Sequence, residues 1–295
     1  MKDYIFLITI LILRIPQSFF NKKTSTLVTS TPRYFVYCSY SYVLAELIAF
    51  VLMLSEGLPE FNPYAFGISA LGALALALNI YFSLESLKHG VMVLSSLAGS
   101  AGLLIPCIAG IFMFAEKMKL LQFAGIALLI FSGWLLIGYS KKQTGAFTFK
   151  TLLLLIGSML SNGTVMLSQK MFSKFLPDMS ASVFSFYTFS LLGAGMLAGL
   201  IINSFSKANR TEIKTVPRKL FLYGTILSVI LFAINQLATV AAKNVPSAVM
   251  FPINDGGATI ISALTGACFF KEKLTKRSAA GILIGITSLI IINFG

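Results

Sequence analysis

Apolar runs about twenty residues long fill nearly the whole of this 295-residue chain. As a helix, a run of that length covers the roughly 30 Å hydrocarbon core of a bilayer. Hydrocarbon offers the backbone no water, so each N–H and C=O must be paired within its own helix. Ten spans are expected, at residues 4–24, 34–54, 63–86, 90–114, 120–139, 151–172, 181–204, 220–242, 247–269 and 279–293. Composition agrees: 57% of residues are hydrophobic and 11% charged, with a mean hydropathy of +0.87, whereas about a quarter of a soluble domain is charged. No stretch is left for a separate catalytic or nucleic-acid-binding domain.

The net charge of +13 lies in short loops between spans, where orientation signals sit, and nucleic acid is not an expected partner. Cys38, Cys107 and Cys268 are scattered singly in apolar stretches, and His89 is the lone histidine, so neither a disulfide framework nor a metal or cofactor site is expected. The basic and apolar N-terminus resembles a signal peptide, but no small-x-small cleavage site follows it. The run meets Arg14, Pro16 and Gln17 and continues through Phe19 and Phe20, so it is read as a retained first span.

The chain is duplicated. Glu116 and Glu272, Gly125 and Gly281, and Ser132 and Ser288 are each 156 residues apart, so a charged hairpin and the span after it recur in register. Span one ends in Asn21-Lys22 and span six in Gln169-Lys170; each is followed by a proline turn and an aromatic-rich span. The expected division is a first five-helix repeat at 1–139, a linker at 140–150 and a second repeat at 151–295. Five is odd, so the second repeat enters from the opposite side. The fold expected is an all-α membrane protein of ten transmembrane helices in two inverted five-helix repeats. Sixteen lysines and arginines in loops after odd spans face six on the other side, which puts the first set in the cytoplasm of a cell membrane and both termini outside.

A Phe-x-Glu-Lys-[Leu/Met] hairpin before both the fifth and tenth spans, with Gly nine residues after each Glu, resembles the EamA-type permeases of the drug/metabolite transporter superfamily. The resemblance covers essentially the whole chain. It implies a five-plus-five inverted repeat and transport, often export, of a small metabolite. Members often carry Gly just before the hairpin Glu, where this chain has Ala115 and Lys271. Small four-span members couple to protons through a glutamate in span one; here that span has Arg14 and no mid-span acid, so the coupling residue is not carried over.

Asp255, in Pro252-Ile253-Asn254-Asp255-Gly256-Gly257, is the sharpest candidate, because a charge at the bilayer centre costs roughly 2.5–3.5 kcal/mol unless it meets a cavity or partner. Pro252 and the glycines predict a locally broken helix there. The alternative is a structural pairing of Asp255 with a nearby lysine. Lys22 and Lys170 are a repeat-related basic pair, with Lys170 the expected counter-charge at the site and Lys22 closer to an interfacial lysine. Glu46 and Arg14 are read either as an ion pair between adjacent spans or, for Glu46, as a titrating coupling group. Asn79, Asn162, Asn235, Gln236 and Asn254, with Tyr37, Tyr40 and Tyr187, suggest a polar cavity walled by the aromatic spans two and seven.

The reading is a membrane carrier without enzymatic activity. It moves a small polar metabolite by alternating access, with lipid around it and a coupling ion such as the proton. The alternative is a lipid-handling or accessory membrane protein with no soluble substrate.

Overall fold

The computed structural model describes residues 2–88, 98–136, 148–271 and 275–294. His89, Glu272, Lys273 and most of the expected linker lie outside these residues. Within them every regular element is a helix: α1 Lys2–Ser25, α2 Thr31–Glu56, α3 Pro63–Lys88, α4 Leu104–Phe114, α5 Leu120–Leu136, α6 Phe149–Phe175, α7 Ala181–Ser204, α8 Lys207–Lys214, α9 Arg218–Ala242, α10 Ser247–Phe251, α11 Gly257–Phe270 and α12 Lys276–Phe294. A π-helical turn, Pro252–Gly256, joins α10 to α11. Seven helices are long and apolar enough to cross a membrane, and two shorter apolar helices, Ala98–Phe114 and Leu120–Leu136, accompany them, the pattern of an α-helical membrane protein.

Helix ends follow local chemistry. Pro32 opens α2, where a missing N–H costs nothing, and a Thr148–Thr151 capping box opens α6. The short charged hairpins end α4 and α11 in the same way: Ala115 (φ 51°) and Lys271 (φ 53°) are left-handed, and their N–H groups turn back to the carbonyls of Gly110 and Gly266. The two left-handed residues, like the two acceptor glycines, are 156 positions apart.

Packing runs mainly between the two halves of the sequence. α2 lies along α7 and α5 along α12; α3 packs on α6 and α7, as α9 packs on α1 and α2; α4 meets α6, as α11 meets α1; and α10 touches α4. In the α5–α12 seam, a Cβ on Gly125 would stand 2.6 Å from Ile292 Cγ1, while Ser132 Oγ donates to the Gly281 carbonyl at 2.7 Å. Such close approach of small residues is how helices associate in lipid, where no hydrophobic drive exists. The main apolar core gathers Leu7, Ile10, Ile126, Ile234, Met250, Phe251 and Ile292 where α1, α5, α9, α10 and α12 converge.

Candidate functional site

Where a broken helix was expected, the chain stays helical and loosens into a single π turn, with Phe251, Pro252, Gly256 and Gly257 all in right-handed helical conformation. Pro252 removes a backbone donor and cannot follow the preceding turn, and Gly256-Gly257 allow neighbours to close on the bend. A Cβ on Gly256 would stand 2.5 Å from Leu129 of α5, and one on Gly257 would stand 2.4 Å from Leu11 of α1. The turn is thus clasped between α1 and α5, which fixes where Asn254 and Asp255 point.

Four polar side chains meet there. Arg14 of α1 donates through Nη2 to Asn254 Oδ1 at 2.7 Å and through Nη1 to Gln17 at 2.8 Å, while its Nε is buried without a hydrogen-bond partner. Asn162 of α6 reaches from the other side, donating to the Gly99 carbonyl at 3.0 Å and to Asp255 Oδ2 at 3.4 Å. Arg14 and Asp255 interact electrostatically but are held by amides rather than joined in a direct ion pair. Opposite charges kept apart, with donor and acceptor capacity left over, are suited to a guest with polar groups of its own. Asn79 of α3 donates to Ser161 at 3.4 Å, beside Asn162 on α6.

Lys170 is elsewhere, which corrects its assignment as counter-charge to Asp255. It is fully buried, pairs with Glu116 Oε1 at 2.7 Å and donates to the Val245 carbonyl at 2.7 Å. Glu116 Oε2 accepts from Ser247 N, at the start of α10, also at 2.7 Å. The left-handed turn at Ala115 folds Glu116 back beneath α4, so the hairpin carboxylate reaches Lys170 two turns along α6 from Asn162. A buried ammonium keeps its charge only beside such a partner. Lys22, by contrast, lies over the Phe270 ring at 4.9 Å, near the end of α11.

Asn235 and Gln236 form a second network rather than joining Asp255. Gln169 Nε2 donates to Asn235 Oδ1 at 2.6 Å, Asn235 Nδ2 to Ser185 Oγ at 3.0 Å, and Gln236 contacts Ser185 at 3.1 Å. This network ends near Glu56, which accepts from Ser182 at 2.6 Å and from Ser180, at a cavity of about 240 Å³ lined by Glu56, Ser173, Gln236, Thr239 and Lys243 among others.

The Glu46–Arg14 pair does not form. α1 packs against α9 and α11 rather than α2, which puts Glu46 out of Arg14's reach, and Glu46 instead accepts from Ser190 Oγ at 2.7 Å on α7. Nor do the aromatics wall the Asp255 constellation. Tyr37 packs with Cys38, Ala73, Leu192 and Met196, Tyr40 shares a 2.7 Å hydrogen bond with Thr225, and Tyr187 stacks edge-on with Phe66. Their rings fill helix seams, where a large apolar face buries most area. Gln169, Ser185 and the Gly99 carbonyl were not anticipated. Gln169, a strong hydrogen-bonding group beside Lys170 at membrane depth, was the available signal.

No family model and no curated protein sequence matches the chain. Its fold does recur: 28 solved chains match it in structure. One crystal structure superposes with a TM-score of 0.78 over 99% of this chain and 96% of its own length, at 11% sequence identity. At that identity the likeness establishes a shared fold and nothing about function.

Proposed function

We propose that the chain is a ten-span carrier of the EamA type, built of two inverted repeats, that moves a small polar metabolite, in the direction of export, by alternating access. The observation that carries this reading is Asp255, an acid on a π turn within an apolar span, touched by Asn162 from a helix of a different packing group. Single π turns inside α-helices recur at functional sites, and an ionisable side chain within a span marks a substrate or ion pathway.

Three features support it. First, exchanging each helix of one half for its counterpart in the other carries the most extensive packing pairs onto one another: α3 on α6 becomes α9 on α1, α3 on α7 becomes α9 on α2, and α4 on α6 becomes α11 on α1. Second, the moving bodies follow from that set as two mixed bundles, α3-α4-α6 and α1-α9-α10-α11, rather than the two sequence halves. Asn162 to Asp255, and the Glu116–Lys170 pair to Ser247 N and Val245 O, are both contacts between bundles. Third, the bundles meet more closely at one end. α6 closes on α9 through Gln169–Asn235 and through Ser173 Oγ to the Thr239 carbonyl, whereas their counterparts α1 and α3 make at most marginal contact among the described residues. The two bundles are therefore joined more closely on the Lys170 side than on the side of the cationic loops.

A ligand binding only the folded state raises its melting temperature, by the equivalent of about 2.7 kcal/mol at a hundred times Kd. Purified protein screened against amino acids, nucleobases, sugars and phosphate esters should respond to one class. Asp255→Asn should keep its own melting temperature but lose that response, and lose transport in proteoliposomes. An unaltered response and transport in Asp255→Asn would remove this residue from the mechanism.

A further inference from the structure

The last turn of α7 ends in strongly exposed apolar side chains, Ile201 at 58%, Ile202 at 68% and Phe205 at 81%. One residue later α8 begins, and its character reverses. Lys207, Arg210, Thr211 and Lys214 are exposed and, at helical spacing of three to four, share one face; Arg218 and Lys219 continue the cationic run at the start of α9. Asn209, Glu212 and Ile213 are half-buried on the opposite face, where α8 rests on α2 and α7. The single acid of the segment, Glu212, is thus turned inward, and every charge on the outward stripe is positive. The same end of the molecule holds Arg33 at the start of α2, linked by the Tyr40–Phe221 contact of α2 with α9, and Lys22 and Lys23 at the end of α1, linked by Phe20–Tyr223.

We infer that α8 is a binding strip for anionic lipid headgroups. The exposed apolar side chains that end at Phe205 mark the edge of the hydrocarbon. At 1.5 Å of rise per residue, the stripe that starts at Lys207 falls in the phosphate layer. The anions that layer supplies are lipid phosphates, and packing on α2 and α7 holds the cations toward them without the ordering cost a flexible basic loop would bear. The strip acts independently of the cargo site, so it stands or falls apart from the transport reading.

The test uses the full-length protein in neutral detergent, titrated with phosphatidylglycerol or phosphatidylcholine while its melting temperature is followed. Phosphatidylglycerol should raise the melting temperature, high salt should suppress the rise, and phosphatidylcholine should have no effect. In Lys207→Gln/Arg210→Gln/Lys214→Gln the apparent phosphatidylglycerol affinity should fall roughly fivefold per charge removed, on the order of a hundredfold in all. Lys207→Arg/Lys214→Arg should retain it. If the triple variant melts poorly without lipid, the single variants carry the test, each with its own fivefold loss. The inference is overturned if these variants keep the full response, if phosphatidylcholine matches phosphatidylglycerol, or if soluble glycerol phosphate at equal concentration stabilises as well as the lipid.

Discussion

Ala115 and Lys271 hold a left-handed backbone that crowds a Cβ against the following carbonyl, at a cost of about 1–2 kcal/mol for any residue but glycine. Ala115→Gly should therefore raise the melting temperature in detergent by about 2–4 °C, the equivalent of about 1 kcal/mol, with no change in ligand response. A fall in melting temperature would mean the alanine methyl makes contacts worth more than the strain. At this scale the sequence was informative wherever a polar group stood alone in an apolar run. Asp255, Asn254 and Asn162 come together for the reason that marked them, since each needs a partner in hydrocarbon. Lys170 was legible as a charge but not as to its mate. Glu116 sits in a hairpin that reads as a solvated loop, and only the left-handed turn at Ala115 brings it back under α4.

The seven long apolar helices followed from hydropathy, because a run long enough to span is a signal that packing seldom overrides. Helix faces did not: spans apolar all round give no stripe to show which side meets a neighbour, so the aromatic walls expected around Asp255 proved to be seam-filling rings. α8 was missed for the opposite reason, being short, polar and without an apolar run. The duplicated small residues were more telling, since a glycine that must stay small marks a contact. Gly125→Leu would force a side chain against Ile292 and the Ser288 carbonyl, the latter 3.2 Å from the first added carbon. Overpacking of this kind costs about 1–3 kcal/mol, so its melting temperature should fall by several degrees. Gly195→Ala, at a position with nothing within 4 Å of the added carbon, should melt no lower than the native chain. Equal behaviour of the two variants would mean that α5 and α12 do not pack as described.

Across the whole molecule, the recurrence of a hairpin pattern at a spacing of 156 residues was visible, but the way the first and second halves of the sequence interleave was not, because contact between distant helices leaves no local trace in sequence. If α3-α4-α6 and α1-α9-α10-α11 rock against each other, freezing the more closely joined end should stop turnover without harming the fold. Tyr223 and Phe20 lie at the opposite end of the molecule, with ring centroids 5.6 Å apart, but both belong to one bundle; Ser173 on α6 and Thr239 on α9 span the closely joined end between bundles. In a chain with its native cysteines replaced, Ser173→Cys/Thr239→Cys joined by a short bismaleimide should abolish transport while ligand binding persists. Phe20→Cys/Tyr223→Cys, joined in the same way, should still transport. Full transport by the joined Ser173/Thr239 pair would rule out motion at that end. The interleaving also bears on how the protein is made. Among the described residues, α1 to α5 find their main packing partners in helices synthesised later, α1 on α9, α2 on α7, α3 on α6 and α5 on α12. The first half must therefore wait in the bilayer, its polar residues unmatched, until translation delivers the second. Its survival over that interval depends on the insertion machinery and quality control of the cell, so a chain truncated after α5 is expected to be a substrate for membrane proteases rather than a folded half.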